Sequence, residues 1–155
     1  MSLLEPHVIG MLVDCFDLLS KDQREDVKSS LRTRARNMPA ELLFRGLSYV
    51  LVLCASRGNL KVVEKGLQAS SCKELLDAVK DLSGEKAGYA LYGAILLLSL
   101  RKQGAISEKT FSDVVKNALD NPIRDSIAYG IAEWIRKLAE SYLEEEKKKG
   151  GKEYE

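Results

Sequence analysis

Apolar positions recur at helical spacing along almost the whole chain, while the strict alternation expected of half-buried strands is nearly absent. Val8, Ile9, Leu12, Val13 and Phe16 share one side of a helix predicted over residues 7–19, entered just after Pro6. Ser20 and Gln23 make an S-x-x-Q capping box, which predicts a restart there. A second helix then runs towards Arg36 with Val27, Leu31 and Ala35 as its inward stripe. Met38-Pro39 predicts a further restart, because proline is tolerated in a first helical turn but not deeper. In the third helix Leu42, Leu43, Gly46, Leu47, Val50, Leu51 and Cys54 point inward. Gly46 costs about 1 kcal/mol there relative to alanine, so close helix packing is its expected justification.

Arg57-Gly58-Asn59 stops that helix, and a short, weakly specified one follows over residues 60–69. Ser71 with Glu74 makes another capping box, opening a helix expected to end near Ser83-Gly84. Residues 87–100, AGYALYGAILLLSL, are apolar on every side, the pattern of a central helix surrounded by others. Arg101, Lys102 and Gly104 close it, and Ser107 is the expected cap of a helix over residues 108–119. Beyond Asp120-Asn121-Pro122 a last helix carries the stripe Ile127, Ile131, Trp134 and Leu138. After Leu143 the text becomes EEEKKKGGKEYE, where Glu144-Lys148 and Glu145-Lys149 support a turn or two before a frayed tail. The expectation is an all-α fold: a single compact bundle of six to eight helices over residues 1–143, with 144–155 as a charged tail.

Composition narrows the function classes. At 155 residues the chain fits one domain, and 45% hydrophobic with 30% charged residues is a soluble globular profile. Net charge is +1, so attraction to a polyanion must come from uneven placement of charge. Cys15, Cys54 and Cys72 are few and widely spaced, with no CxxC pair; this argues against a disulfide framework and a zinc site and for small packing residues. The start of the chain lacks a signal-peptide pattern, and the uncharged run 87–100 is shorter than the ~20 residues that cross a bilayer. A cytoplasmic protein with no membrane role is expected. Scarce Asn and Gln beside plentiful charge fit a thermophilic origin.

The search for catalytic chemistry returns little. His7 is the single histidine, no Walker A frame surrounds Ser83-Gly84-Glu85-Lys86, and the carboxylates sit at ordinary solvated helix positions. No enzyme and no cofactor is expected. The cations are more informative: Arg32, Arg34, Arg36 and Arg45 surround one break, and Arg57, Lys61 and Lys65 lie at the far end of the third helix. At about 100° per residue Arg32 and Arg36 share the outer face, whereas Arg34 falls on the apolar stripe and needs a partner unless the helix has frayed. Guanidinium groups suit phosphate oxygens, so a nucleic-acid contact is one reading. A solvated face paired with Glu25, Asp26 and Glu41 is the other. Arg136 and Lys137 make a weaker candidate, because Glu133 and Glu140 stand at pairing distance along the helix.

The stretch ARNMPAELLFRGLSYVLVL resembles the signature of the small α-helical subunit of the type III-B CRISPR effector, the Cmr complex. Ala35, Arg36, Met38, Pro39, Gly46 and Leu47 match its A-R-x-hydrophobic-P element and the G-L helix that follows. Trp134-Ile135-Arg136-Lys137-Leu138-Ala139 is similar to its C-terminal ending, and Tyr89 and Tyr92 to its middle portion. The family's acidic residue inside the last helix is absent, Ser126-Ile127-Ala128-Tyr129 standing there instead. The related small subunits of type III-A and archaeal type I complexes are helical too. The resemblance implies a non-catalytic subunit that contacts the other effector subunits, stacks on copies of itself and lines the groove holding guide and target RNA. A helical adaptor binding only proteins is the alternative.

Overall fold

In the computed structural model residues 4–143 are described, and they fold as seven helices with no strand among them. In chain order these are α1 (Pro6–Ser20), α2 (Glu25–Arg57), α3 (Leu60–Lys65), α4 (Cys72–Ala78), α5 (Gly84–Lys102), α6 (Phe111–Ala118) and α7 (Pro122–Tyr142). The all-α expectation is met. The expected pairs Glu144-Lys148 and Glu145-Lys149 and the tail itself lie outside the described residues.

α5 is the axis of the molecule. Every residue from Ala87 to Leu100 is buried, including Ser99, whose hydroxyl donates to the carbonyl of Ile95 at 2.8 Å. A helix with no polar face has no solvent side, so the other elements must enclose it. Its entry is capped by Ser83, which accepts from the N–H of Lys86, and its exit passes through Gly104 at φ 82. Arg101 then donates to the carbonyls of Leu67 and Ala69, clasping the end of the α3 segment.

The chain restarts after Ser20 as expected, but α2 does not restart at Met38-Pro39. Pro39 is buried inside it without ending it, although proline removes the bond to the carbonyl four residues back. Val27, Leu31, Ala35, Met38 and Leu42 form one buried stripe through that point, and their burial outweighs the loss. The real break is Gly46, at φ 86 and ψ 169, a region essentially restricted to glycine. There the N–H of Leu47 turns to Asp125 Oδ1 at 2.9 Å, instead of the carbonyl of Leu43 that a continuous helix would offer.

The break reverses the chain along α5. In the first limb Asp26 lies against Gly84, Ser30 against Gly88, and Arg34 over the ring of Tyr89. In the second limb Cys54 lies against Gly93 and Gly58 against the backbone of Ala90, so the order of contacts is inverted. Both limbs therefore meet the same half of α5. Glycines at 58, 88 and 93 permit this: a Cβ on any of them would come within 2.8 Å of a neighbouring atom.

Other expectations need correction. Ser20 ends α1 and donates to the carbonyl of Asp17; Arg24 is the N-cap of α2, and Asp22 accepts its N–H. Thr110, not Ser107, caps α6, and the helix opened by Ser71 ends at Ala78. On α7 the buried stripe is Ala128, Ile131, Ala132, Ile135, Leu138 and Ala139, which leaves Trp134 exposed. Leu43 is exposed as well. Cys15 and Cys72 are joined as a disulfide, tying α1 to α4 with Cα atoms 5.4 Å apart, so only Cys54 is a free buried packing residue. A separation of 57 residues hides such a pair from local spacing; the packing of α1 on α4 brings it together.

Candidate nucleic-acid interface

The cations of α2 do not share one face. Arg32 is half-buried on the flank towards α7, and its Nε donates to the carbonyl of Leu143 at 2.7 Å. Arg34 lies on the opposite flank, against α5, with its guanidinium 4.2 Å from the centre of the Tyr89 ring. This is the partner that its place on the apolar stripe demanded. Arg36 is exposed and has no counter-charge among the described residues. Arg45 stands 3.3 Å from the carboxylate of Glu41 and 4.7 Å over the ring of Tyr49.

The fold-back at Gly46 brings together what the sequence separates. Tyr89, which carries Arg34, precedes Ala90, which touches Gly58, the neighbour of Arg57. Arg34 is also near enough to Cys54 to act on its thiol: burial pushes that group up to about 12, and the guanidinium offsets part of the rise. Arg57 and Lys61 follow at this corner, both exposed and both without a counter-charge among the described residues. Arg34, Arg57 and Lys61 thus form a cationic corner around the N-terminal half of α5. Arg36 stands apart on the far flank of the first limb.

The acids expected to balance this group mostly have other partners. Glu25 pairs with Lys28 at 2.8 Å and Asp26 with Arg24 at 3.2 Å; Glu41 alone takes a member of the set. The pair on α7 behaves as its spacing predicts. Arg136 lies 2.7 Å from Glu133 and 3.4 Å from Glu140, with Lys137 3.7 Å from Glu140. The guanidinium of Arg136 holds the Glu133 carboxyl below its ordinary range.

Three arginines outside the predicted cationic set have structural tasks. Arg24 reaches the carbonyls of Val79, Lys80 and Leu82 beyond the end of α4, and Arg101 the carbonyls noted above. Arg124 Nη1 sits 2.8 Å from Glu108 Oε2 in a largely buried ion pair, 17% and 10% exposed, although its N–H does not point along the contact. No local signal marks these tasks, since apart from Asp26 beside Arg24 every acceptor lies far away in sequence.

The single histidine makes a structural contact: His7 Nε2 donates to the carbonyl of Lys102 at 3.0 Å. Among the described residues no group of His, Cys, Asp and Glu has the arrangement of a metal site. Comparison with protein families, with curated proteins and with solved structures finds no match for this chain.

Proposed function

We propose that the chain is a non-catalytic, RNA-contacting subunit of a CRISPR RNA-guided effector of the type III-B kind, working beside other protein subunits. The observation that carries the reading is the cationic corner, where Arg57 and Lys61 are exposed without counter-charge beside the Arg34–Tyr89 stack. Such an arrangement suits the sugar-phosphate backbone of a single strand, with cations for phosphates and no demand for a base sequence. The resemblance over Ala35–Leu47 and Trp134–Ala139 supplies the biological setting. Work inside the cell would place the Cys15–Cys72 disulfide among those of hyperthermophilic proteins, in line with the charge-rich composition.

The test is an assembled effector carrying Arg57→Glu and Lys61→Glu, titrated with a labelled single-stranded RNA at several salt concentrations. Affinity should fall similarly for unrelated target sequences, and the log-affinity against log-salt slope should flatten by about 0.7 for each phosphate that is no longer neutralised. An unchanged slope favours the second reading, a protein adaptor. That reading has its own support: Arg45 and Arg136 are satisfied by acids, and large apolar side chains are exposed at the Gly46 corner.

A further inference from the structure

The break at Gly46 opens a pocket of about 540 Å³, a size typical of ligand-binding clefts, lined by Leu43, Phe44, Gly46, Asp120, Asp125 and Tyr129. Its lining mixes carboxylates with large apolar side chains. In the lining Phe44 is 81% exposed and Leu43 66%, and next in the chain to the lining residues Asp120 and Pro122 stand Leu119, 62% exposed, and Ile123, 73% exposed. Side chains of this size left in water as a group mark a surface that something covers.

The floor is electronegative. Asp120 is exposed, held at φ 56, and has no partner among the described residues. Asp125 spends Oδ1 on the N–H of Leu47 and keeps Oδ2 beside Gly46, 3.4 Å from where a Cβ would stand. The first limb of α2 ends here and α7 begins here, so their opposed dipole ends offset each other and the two carboxylates set the sign of the floor. Arg45, the one cation in the lining, is drawn aside by Glu41 and by the ring of Tyr49.

We propose that this pocket is a docking site for a segment of a partner protein that inserts an arginine or lysine between apolar neighbours. The carboxylates call for a cation on the incoming side, and the exposed Leu43 and Phe44 call for apolar contacts beside it. RNA is disfavoured, since its phosphates would meet two carboxylates. A second copy meeting this same face about a two-fold axis is disfavoured too, because it would press Asp120 and Asp125 against their own counterparts. The site is independent of the cationic corner and of the RNA reading.

The probe is a random 12-residue peptide library displayed on phage and panned against the full, folded chain. Enriched peptides should carry Arg or Lys within two positions of Phe, Leu, Ile or Trp. A synthetic copy should move the amide resonances of Leu43, Phe44, Asp120 and Ile123. Phe44→Asp and Asp120→Asn should each weaken its binding at least ten-fold, with an unchanged helical circular dichroism spectrum; asparagine tolerates the positive φ. The proposal is overturned by an absence of enrichment, by acidic consensus peptides, or by binding that both variants leave intact. Concentration-dependent dimerisation that excludes the peptide and is abolished by Phe44→Asp would overturn it as well, assigning the face to a second copy.

Discussion

Gly46 decides the course of the longest element through a single pair of torsions. An alanine there would hold a strained backbone and set its Cβ 3.4 Å from Asp125 Oδ2. Gly46→Ala is expected to cost about 1–3 kcal/mol, read as a lower urea midpoint with an unchanged m-value. A wild-type midpoint would show that the chain reverses by another route. Glu108 acts at the same scale. Burial alone would raise its carboxyl, but the Arg124 guanidinium, the amide of Asn117 and backbone N–H groups outweigh that and hold it at about 2. A carboxyl lowered on folding stabilises the protein above its unfolded value, and that contribution disappears as pH falls through the folded value. Stability should therefore decline between about pH 4.5 and pH 2, by on the order of 3 kcal/mol from this group. In Glu108→Gln this part of the decline should be missing, and thermal melts across that range would show it.

Between elements, the disulfide is the one covalent tie. α1 has no side-chain cap at its start, and α4 has only seven residues, so neither is strongly specified locally. Linking Cys15 to Cys72 closes a loop spanning 57 residues, which in the chain-entropy model is worth about 4 kcal/mol through the unfolded state. Urea titrations with and without a reducing agent should differ by most of that amount, and Cys15→Ser with Cys72→Ser should behave like the reduced protein. Equal midpoints would mean that packing of α1 on α4 suffices. α5 needs no such tie, since all of Ala87 to Leu100 is enclosed.

Across the whole molecule the cations divide into those that build the fold and those offered to solvent. Arg24 donates to three carbonyls and sits beside Asp26, whereas Arg57 has no partner among the described residues. Arg24→Ala is therefore expected to cost about 2–3 kcal/mol, because it removes hydrogen bonds from a charged donor. Arg57→Ala should leave stability within about 0.5 kcal/mol. If Arg57→Ala proved the more destabilising, the cationic corner would be part of the scaffold and not a contact surface.

Helix content, the central position of residues 87–100, the chain stop at Asp120-Asn121-Pro122 and the need of Arg34 for a partner are all legible in the sequence. Each follows from periodicity or backbone chemistry acting within a few residues. Tertiary structure decides the rest. Pro39 stays inside a helix because a buried stripe on both sides of it holds the helix together, an energy that no local rule contains. Gly46 reads as a packing glycine until Asp125, on α7, takes the freed N–H of Leu47. Cys15 meets Cys72, and Arg34 comes to the corner of Arg57, only once the chain has folded back along α5. The choice between a solvated and a presented arginine is tertiary for the same reason: its partners are set by which helices meet, and residues far apart in the chain contribute them.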